Sequence, residues 1–192
     1  MKGVTRDFVT LFNVLWYRDF PLARNHKEMG SRAEWTTQIG ICVRAAGDLL
    51  GYFTYFEYGN RTDAVMKNNK KETIANLEWE WAEPRKIDRV NEIAQLKESS
   101  ECSQFSVFVG YFSNRFYYEN KQAVLDQWDD NPYPLVLIAI RFDGQGKKRI
   151  FTTMETFHIQ NGRCRKLRSQ PALPWHASGK RWEAYDLNSS KG

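Results

Sequence analysis

The sequence has no stretch near the ~18 consecutive apolar residues that suggest a membrane-spanning helix. Its apolar start (Phe8, Val9, Leu11, Phe12, Val14, Leu15) is interrupted by Arg6, Asp7 and Asn13, and no small-residue cleavage site follows. It therefore reads as an amphipathic helix and not as a signal peptide. Cysteine is scarce. Cys42, Cys102 and Cys164 are odd in number and widely spaced, which gives neither a disulfide framework nor a metal knuckle. That usage fits thiols in a reducing, cytoplasmic setting. No Gly-rich phosphate loop and no Gly-x-Ser-x-Gly elbow occurs, which argues against an ATPase, a dinucleotide enzyme and a common hydrolase. His26, His158 and His176 show no mutual metal spacing.

What is abundant is aromatic surface. Of the 192 residues, 15% are aromatic and seven are Trp, which favours a core of large side chains or a face that stacks on something flat. A hydrophobic share of 42% and a charged share of 27% suit one folded domain. That domain is expected over 1–168, with 169–192 as a loose C-terminal extension carrying Trp175 and Trp182. The net charge of +5 is compatible with a polyanionic partner but does not require one.

Periodicity supplies the elements. Ser31 and Glu34 have capping-box spacing, and Trp35, Ile39, Cys42, Val43 and Ala46 follow at helical intervals, predicting a helix from about Arg32 to Gly47. Strands are predicted over Gly51–Tyr58, Arg61–Lys67 and Glu72–Trp81. Pro84, Ile87, Val90, Ile93 and Ala94 predict a helix to about Glu98. Then come a strand over Phe105–Phe112, a helix over Tyr117–Asp129 and a very apolar strand over Leu135–Phe142. Arg149–Ile159 and Arg163–Leu167 flank Asn161-Gly162, a strong hairpin signal. The order implies an α/β fold, with a mixed central sheet flanked by helices and a C-terminal hairpin.

One strand stands out chemically. Alternation on Leu77-Glu78-Trp79-Glu80-Trp81 puts Glu78 and Glu80 on one face, roughly 7 Å apart. Like charges so placed repel unless a cation or solvent relieves them. Asp63, near the start of the preceding strand, can be brought beside Glu78 by a hairpin. Three converging carboxylates form a hard-oxygen site suited to Mg²⁺ or Mn²⁺. The competing account is a solvated strand face with lysine partners.

Asp63, fourteen intervening residues, and Glu78-Trp79-Glu80 near the end of a hydrophobic strand resemble the active-site motif of the restriction-endonuclease-like nuclease superfamily. The predicted order, helix, three strands, helix, strand, is similar to that family's α-β-β-β-α-β core, and the likeness spans about Ser31–Phe142. Thr62 stands where the signature has Pro, and Glu80 where it has Lys. The resemblance implies metal-dependent phosphodiester hydrolysis of DNA or RNA. Asp63, Glu78 and the Trp79 carbonyl would then hold Mg²⁺, and Glu80 would position the attacking water. It also brings dimers into range, since many relatives act as dimers. Glu34 sits where some members carry an extra acid, although its capping role explains it as well.

Lys67, Lys70 and Lys71, in the turn between the two acid strands and so expected near the acids and any scissile phosphate, and Arg115, after a core strand, are the candidate nucleic-acid contacts. Arg163, Arg165, Lys166 and Arg168 make either a backbone-tracking strand or a charge-protected edge. Two alternatives stay beside the nuclease reading: a nuclease-like domain that binds without cutting, and an aromatic-rich binding module.

Overall fold

The computed structural model of the chain describes residues 1, 3–18, 20, 32–59, 62–86, 91–145 and 148–177. Four helices accompany seven strands within them: α1 (Gly3–Arg18), α2 (Arg32–Leu49), β1 (Phe53–Tyr58), β2 (Thr62–Lys67), β3 (Thr73–Glu80), α3 (Glu92–Ser99), β4 (Phe105–Ser113), α4 (Tyr117–Trp128), β5 (Leu135–Gln145), β6 (Lys148–Gln160) and β7 (Arg163–Pro171). The strands form one sheet whose spatial order is the chain order. β1, β2 and β3 are an antiparallel meander, and β3, β4 and β5 run parallel. β6 and β7 return antiparallel.

Helices cover both faces, as the near-continuous apolar runs of β4 and β5 require. On one face α1 and α2 pack over Leu77, Val107, Val109, Ile138 and Met154. Large rings fill this layer: Trp16 lies 5.8 Å from Trp35, and Trp35 lies 4.5 Å from Phe151. On the other face α3 and α4 pack Ile93, Leu96, Val124 and Trp128 over Phe108, Leu135, Leu137 and Phe157. Gly47 is needed where α2 crosses β1, since a Cβ there would stand 2.2 Å from the Thr54 hydroxyl. Asn161 and Gly162 both have positive φ, 51° and 67°, and close the β6–β7 hairpin as the sequence predicts.

Two expectations need correction. The helix foreseen from Pro84 begins only at Glu92. Glu83 is held by Ser113 and Asn120, and the Arg85 amide donates to Asn120 Oδ1 at 3.2 Å, so Pro84 sits in a turn tied to α4. Ile87 and Val90 lie outside the described residues. The extension foreseen from Ser169 is part of the body as far as Leu173. β7 runs to Pro171, and Ala172 and Leu173 are buried. The Trp16 indole donates to the Ala172 carbonyl at 2.8 Å, and the Tyr17 hydroxyl to that of Pro171 at 2.5 Å. Ser31, Asn60, Arg61, His26 and Trp182 lie outside the described residues. No helix among the described residues is long and apolar enough to cross a membrane.

Candidate functional site

The β2–β3 hairpin carries the acids at its open end. Asp63 is the second residue of β2 and Glu78 is near the end of β3, so antiparallel pairing brings them side by side. The contacts are reciprocal. The Trp79 amide donates to Asp63 Oδ2 at 2.8 Å, and the Asp63 amide approaches Glu78 Oε2 at 3.4 Å. Glu78 is 2% exposed, and no donor reaches its Oε1. Burial, then the neighbouring Asp63 charge, pushes its pKa up to about 9. Burial also raises Asp63, against the opposing Trp79 amide. With no cation near, the pair's way out is a proton on Glu78 that it donates to the Asp63 carboxylate.

The sequence reading missed a further acid here. Glu92 opens α3, which packs back across β3, and its Oε2 is buried without a partner. Burial raises its pKa, and the charges of Glu80 and Asp63 raise it further. A usable signal existed. A helix that follows a β-strand and packs back on it starts near that strand's carboxyl end, where the acids lie.

Glu80 faces the same way but is partly engaged. Its Oε1 accepts from the Ala82 amide at 2.6 Å and from Arg32 Nη2 at 3.3 Å. Among the described residues, no three Asp, Glu, His or Cys side chains already stand in an arrangement that would hold a metal ion. The donor chemistry nonetheless fits a hard divalent cation. The site offers only oxygens, and both Glu78 Oε1 and Glu92 Oε2 lack donors.

The other sequence candidates separate. Lys67, Lys70 and Lys71 lie at the closed end of the hairpin. Lys71 is seven residues along the chain from Glu78, about 23 Å at strand rise, so the expectation that this turn adjoins the acids is not met. Lys67 donates to Thr73 at 3.3 Å and lies over the Tyr58 ring. Asn68 Oδ1 accepts from the Lys70 and Glu72 amides, closing the turn on itself. Arg115 is exposed beyond β4, at the same end of the sheet as the acids, with its guanidinium 5.0 Å from the Phe116 ring. Glu34 is exposed in the first turn of α2. Arg163, Arg165, Lys166 and Arg168 lie along the edge strand β7. An apolar groove of about 510 Å³ lined by Gly40, Ile41, Phe56 and Trp79 opens between α2 and β1. It lies on the opposite face of the sheet from Glu78.

No protein-family model matches the chain, and no curated protein sequence matches it. Among solved structures, the chain is similar to the crystal structure of the YaeQ protein from Xanthomonas axonopodis pv. citri. The TM-score is 0.28 at 8% identity, over 62% of this chain and 70% of that one.

Proposed function

We propose that this chain is a metal-dependent nuclease that hydrolyses phosphodiester bonds, with a restriction-endonuclease-like α-β-β-β-α-β core formed by α2, β1, β2, β3, α3 and β4. The observation that carries this reading is the pair of half-buried Asp63 and buried Glu78, with an oxygen of Glu78 that no donor among the described residues satisfies. A purely structural carboxylate in a core is normally surrounded by donors. Glu78 has one long contact from the Asp63 amide and otherwise faces the acids Asp63 and Glu92.

Asp63 and Glu78 would hold Mg²⁺ or Mn²⁺, with Glu92 or Glu80 completing the oxygen set. The bound ion would polarise a phosphate oxygen and acidify a water. Glu80, at the rim, is placed to accept a proton from that water once Arg32 releases it. The hairpin holds the first two acids in register through the Trp79 and Asp63 amides, so little reorganisation is needed on binding. The expected substrate is DNA or RNA.

The test is cleavage of single- and double-stranded DNA and of RNA by purified protein in Mg²⁺ or Mn²⁺. Asp63→Asn and Glu78→Gln should each lower the rate at least a thousandfold while circular dichroism and melting stay near wild type. Cleavage that survives in both variants would sink the proposal. A second reading, binding without cutting, draws on the hold of Arg32 and the Ala82 amide on Glu80. It predicts nucleic-acid binding with no turnover in either metal.

A further inference from the structure

Two arginines, Arg149 and Arg32, stand near Glu80 at the rim of the acid site. Arg149, near the start of β6, is partly buried. Its guanidinium lies 4.1 Å from the centre of the Trp81 ring and 4.3 Å from that of Phe142. Nη1 donates to the Trp81 carbonyl at 3.1 Å. Among the described residues no carboxylate forms an ion pair with it. Burial lowers its pKa, and the Arg32 charge acts in the same direction, against the acids Glu83 and Glu80. Arg32, at the start of α2, is exposed and reaches Glu80 Oε1. The two guanidiniums therefore repel each other, while Glu80 attracts both and Glu83 attracts Arg149.

The donor count points the same way. A guanidinium offers five N–H groups in a planar fork, and Arg149 spends one on the Trp81 carbonyl. The Tyr111 ring packs 4.5 Å from Trp81, and its hydroxyl is buried without a partner. None of the Arg149 nitrogens is both buried and unpartnered, so its remaining donors face solvent. There an arriving anion can reach a partly desolvated cation that has no ion-pair partner among the described residues. Planar forks match phosphate oxygens in pairs, and rings on either side fix the plane of the fork. The site lies beside Glu80, at the end of the strand that carries Glu78. The nearby acids would repel a dianionic free phosphate more than a singly charged diester.

We propose that Arg149 and Arg32 form an oxyanion-binding pair that takes one backbone phosphate of a polynucleotide at the rim of the acid site. Taking the phosphate from a polynucleotide rests on the nuclease reading, and the pair would supply the positive charge that Glu80 does not.

The test uses the full chain, with Ca²⁺ in place of Mg²⁺ so that binding is read without cutting. Fluorescence anisotropy of a labelled oligonucleotide is measured for wild type, Arg149→Gln, Arg149→Lys, Arg32→Gln and Glu78→Gln, over a salt series. Arg149→Gln should weaken binding at least tenfold, Arg149→Lys less, and Arg32→Gln about threefold. Each Gln variant should also flatten the log-affinity against log-salt slope by about 0.7–0.9. Unchanged affinity and slope in folded Arg149→Gln would overturn the proposal and leave Arg149 as a clamp on the end of β3. If that variant does not fold, the exposed Arg32→Gln decides by the same criterion. Inorganic phosphate that binds wild type without displacing the oligonucleotide would also overturn it. The two proposals fail separately. Arginine-dependent binding by a protein that never cuts sinks the nuclease and keeps the pair, whereas unchanged kcat and KM in a cutting Arg149→Gln does the reverse.

Discussion

Glu78 and Glu155 share one face of the sheet and are both buried, yet they are buried in opposite ways. The rows Glu80–Gly110–Ala139–Glu155 and Glu78–Phe108–Leu137–Phe157 cross the sheet side by side. At the β6 end, burial pushes Glu155 up, but Lys166, the Tyr117 hydroxyl and Arg141 outweigh it and its pKa is lowered. Lys166 Nζ bonds Oε1, and Arg141 stands 3.7 Å from Oε2. At the β3 end, Glu78 has acids for neighbours, and its pKa rises. Glu155 also has a buried oxygen, Oε2, that no hydrogen-bond donor meets, but its charge is balanced by the Lys166 and Arg141 cations. Glu78 is buried beside other acids with no cation to balance it, so it keeps a proton, the condition expected of a residue that awaits a cationic ligand.

Three measurements would sharpen or break this contrast. The largest loss from a single substitution should come from Glu155→Ala, which strands Arg141 and Lys166. The loss should be roughly 2–3 kcal/mol by denaturant unfolding, below the fully buried range because solvent screens the half-exposed Lys166. A loss under about 0.5 kcal/mol would erase the distinction.

Next comes the sign of the pH dependence. Glu78 is held above its unfolded value of 4.5, at about 9, so between those limits the folded chain keeps a proton that the unfolded chain has released. Its contribution is full below about pH 4.5 and is lost as pH rises toward 9. Metal-free protein should therefore weaken from pH 5 to pH 8, by at most about 1.4 kcal/mol per pH unit for one proton. Glu78→Gln should flatten that slope, as should saturating Mg²⁺. Glu155 has the opposite sign, contributing above its unfolded value and losing that contribution as pH falls into the acid range. A slope from pH 5 to 8 that Glu78→Gln leaves unchanged would contradict the contrast.

The smallest effect should be at the far end of the hairpin. Lys70→Ala should change stability by less than about 0.5 kcal/mol and cleavage by less than twofold. A larger change in cleavage would mean that the lysine turn meets substrate after all.

The fold was largely readable because its signals are local. Alternation and apolar runs marked every strand within a few residues, and Asn161-Gly162 marked the hairpin. The start of α3 was not readable. The pattern at Pro84 is a sound helix opening on its own, and it is overridden by a bond from Glu83 to Ser113, thirty residues away. The Asp63–Glu78 pairing followed from hairpin logic alone. The same logic misplaced the lysines, because the residues near a turn are the ones farthest from a hairpin's open end. Arg32 and Arg149 were silent for another reason. Each reaches the site from a different element, and no spacing in the chain records that meeting.

The clasp between α1 and the end of β7 bears on the order in which this molecule can assemble. Because the strands pair in chain order, most of the sheet can form as the chain emerges from the ribosome. The first helix cannot finish docking until residues more than 150 positions later have been made, since Trp16 and Tyr17 anchor to Ala172 and Pro171. Until then the apolar side of α1 has lost its last partner, and a nascent chain cut short before Pro171 would present that side to chaperones.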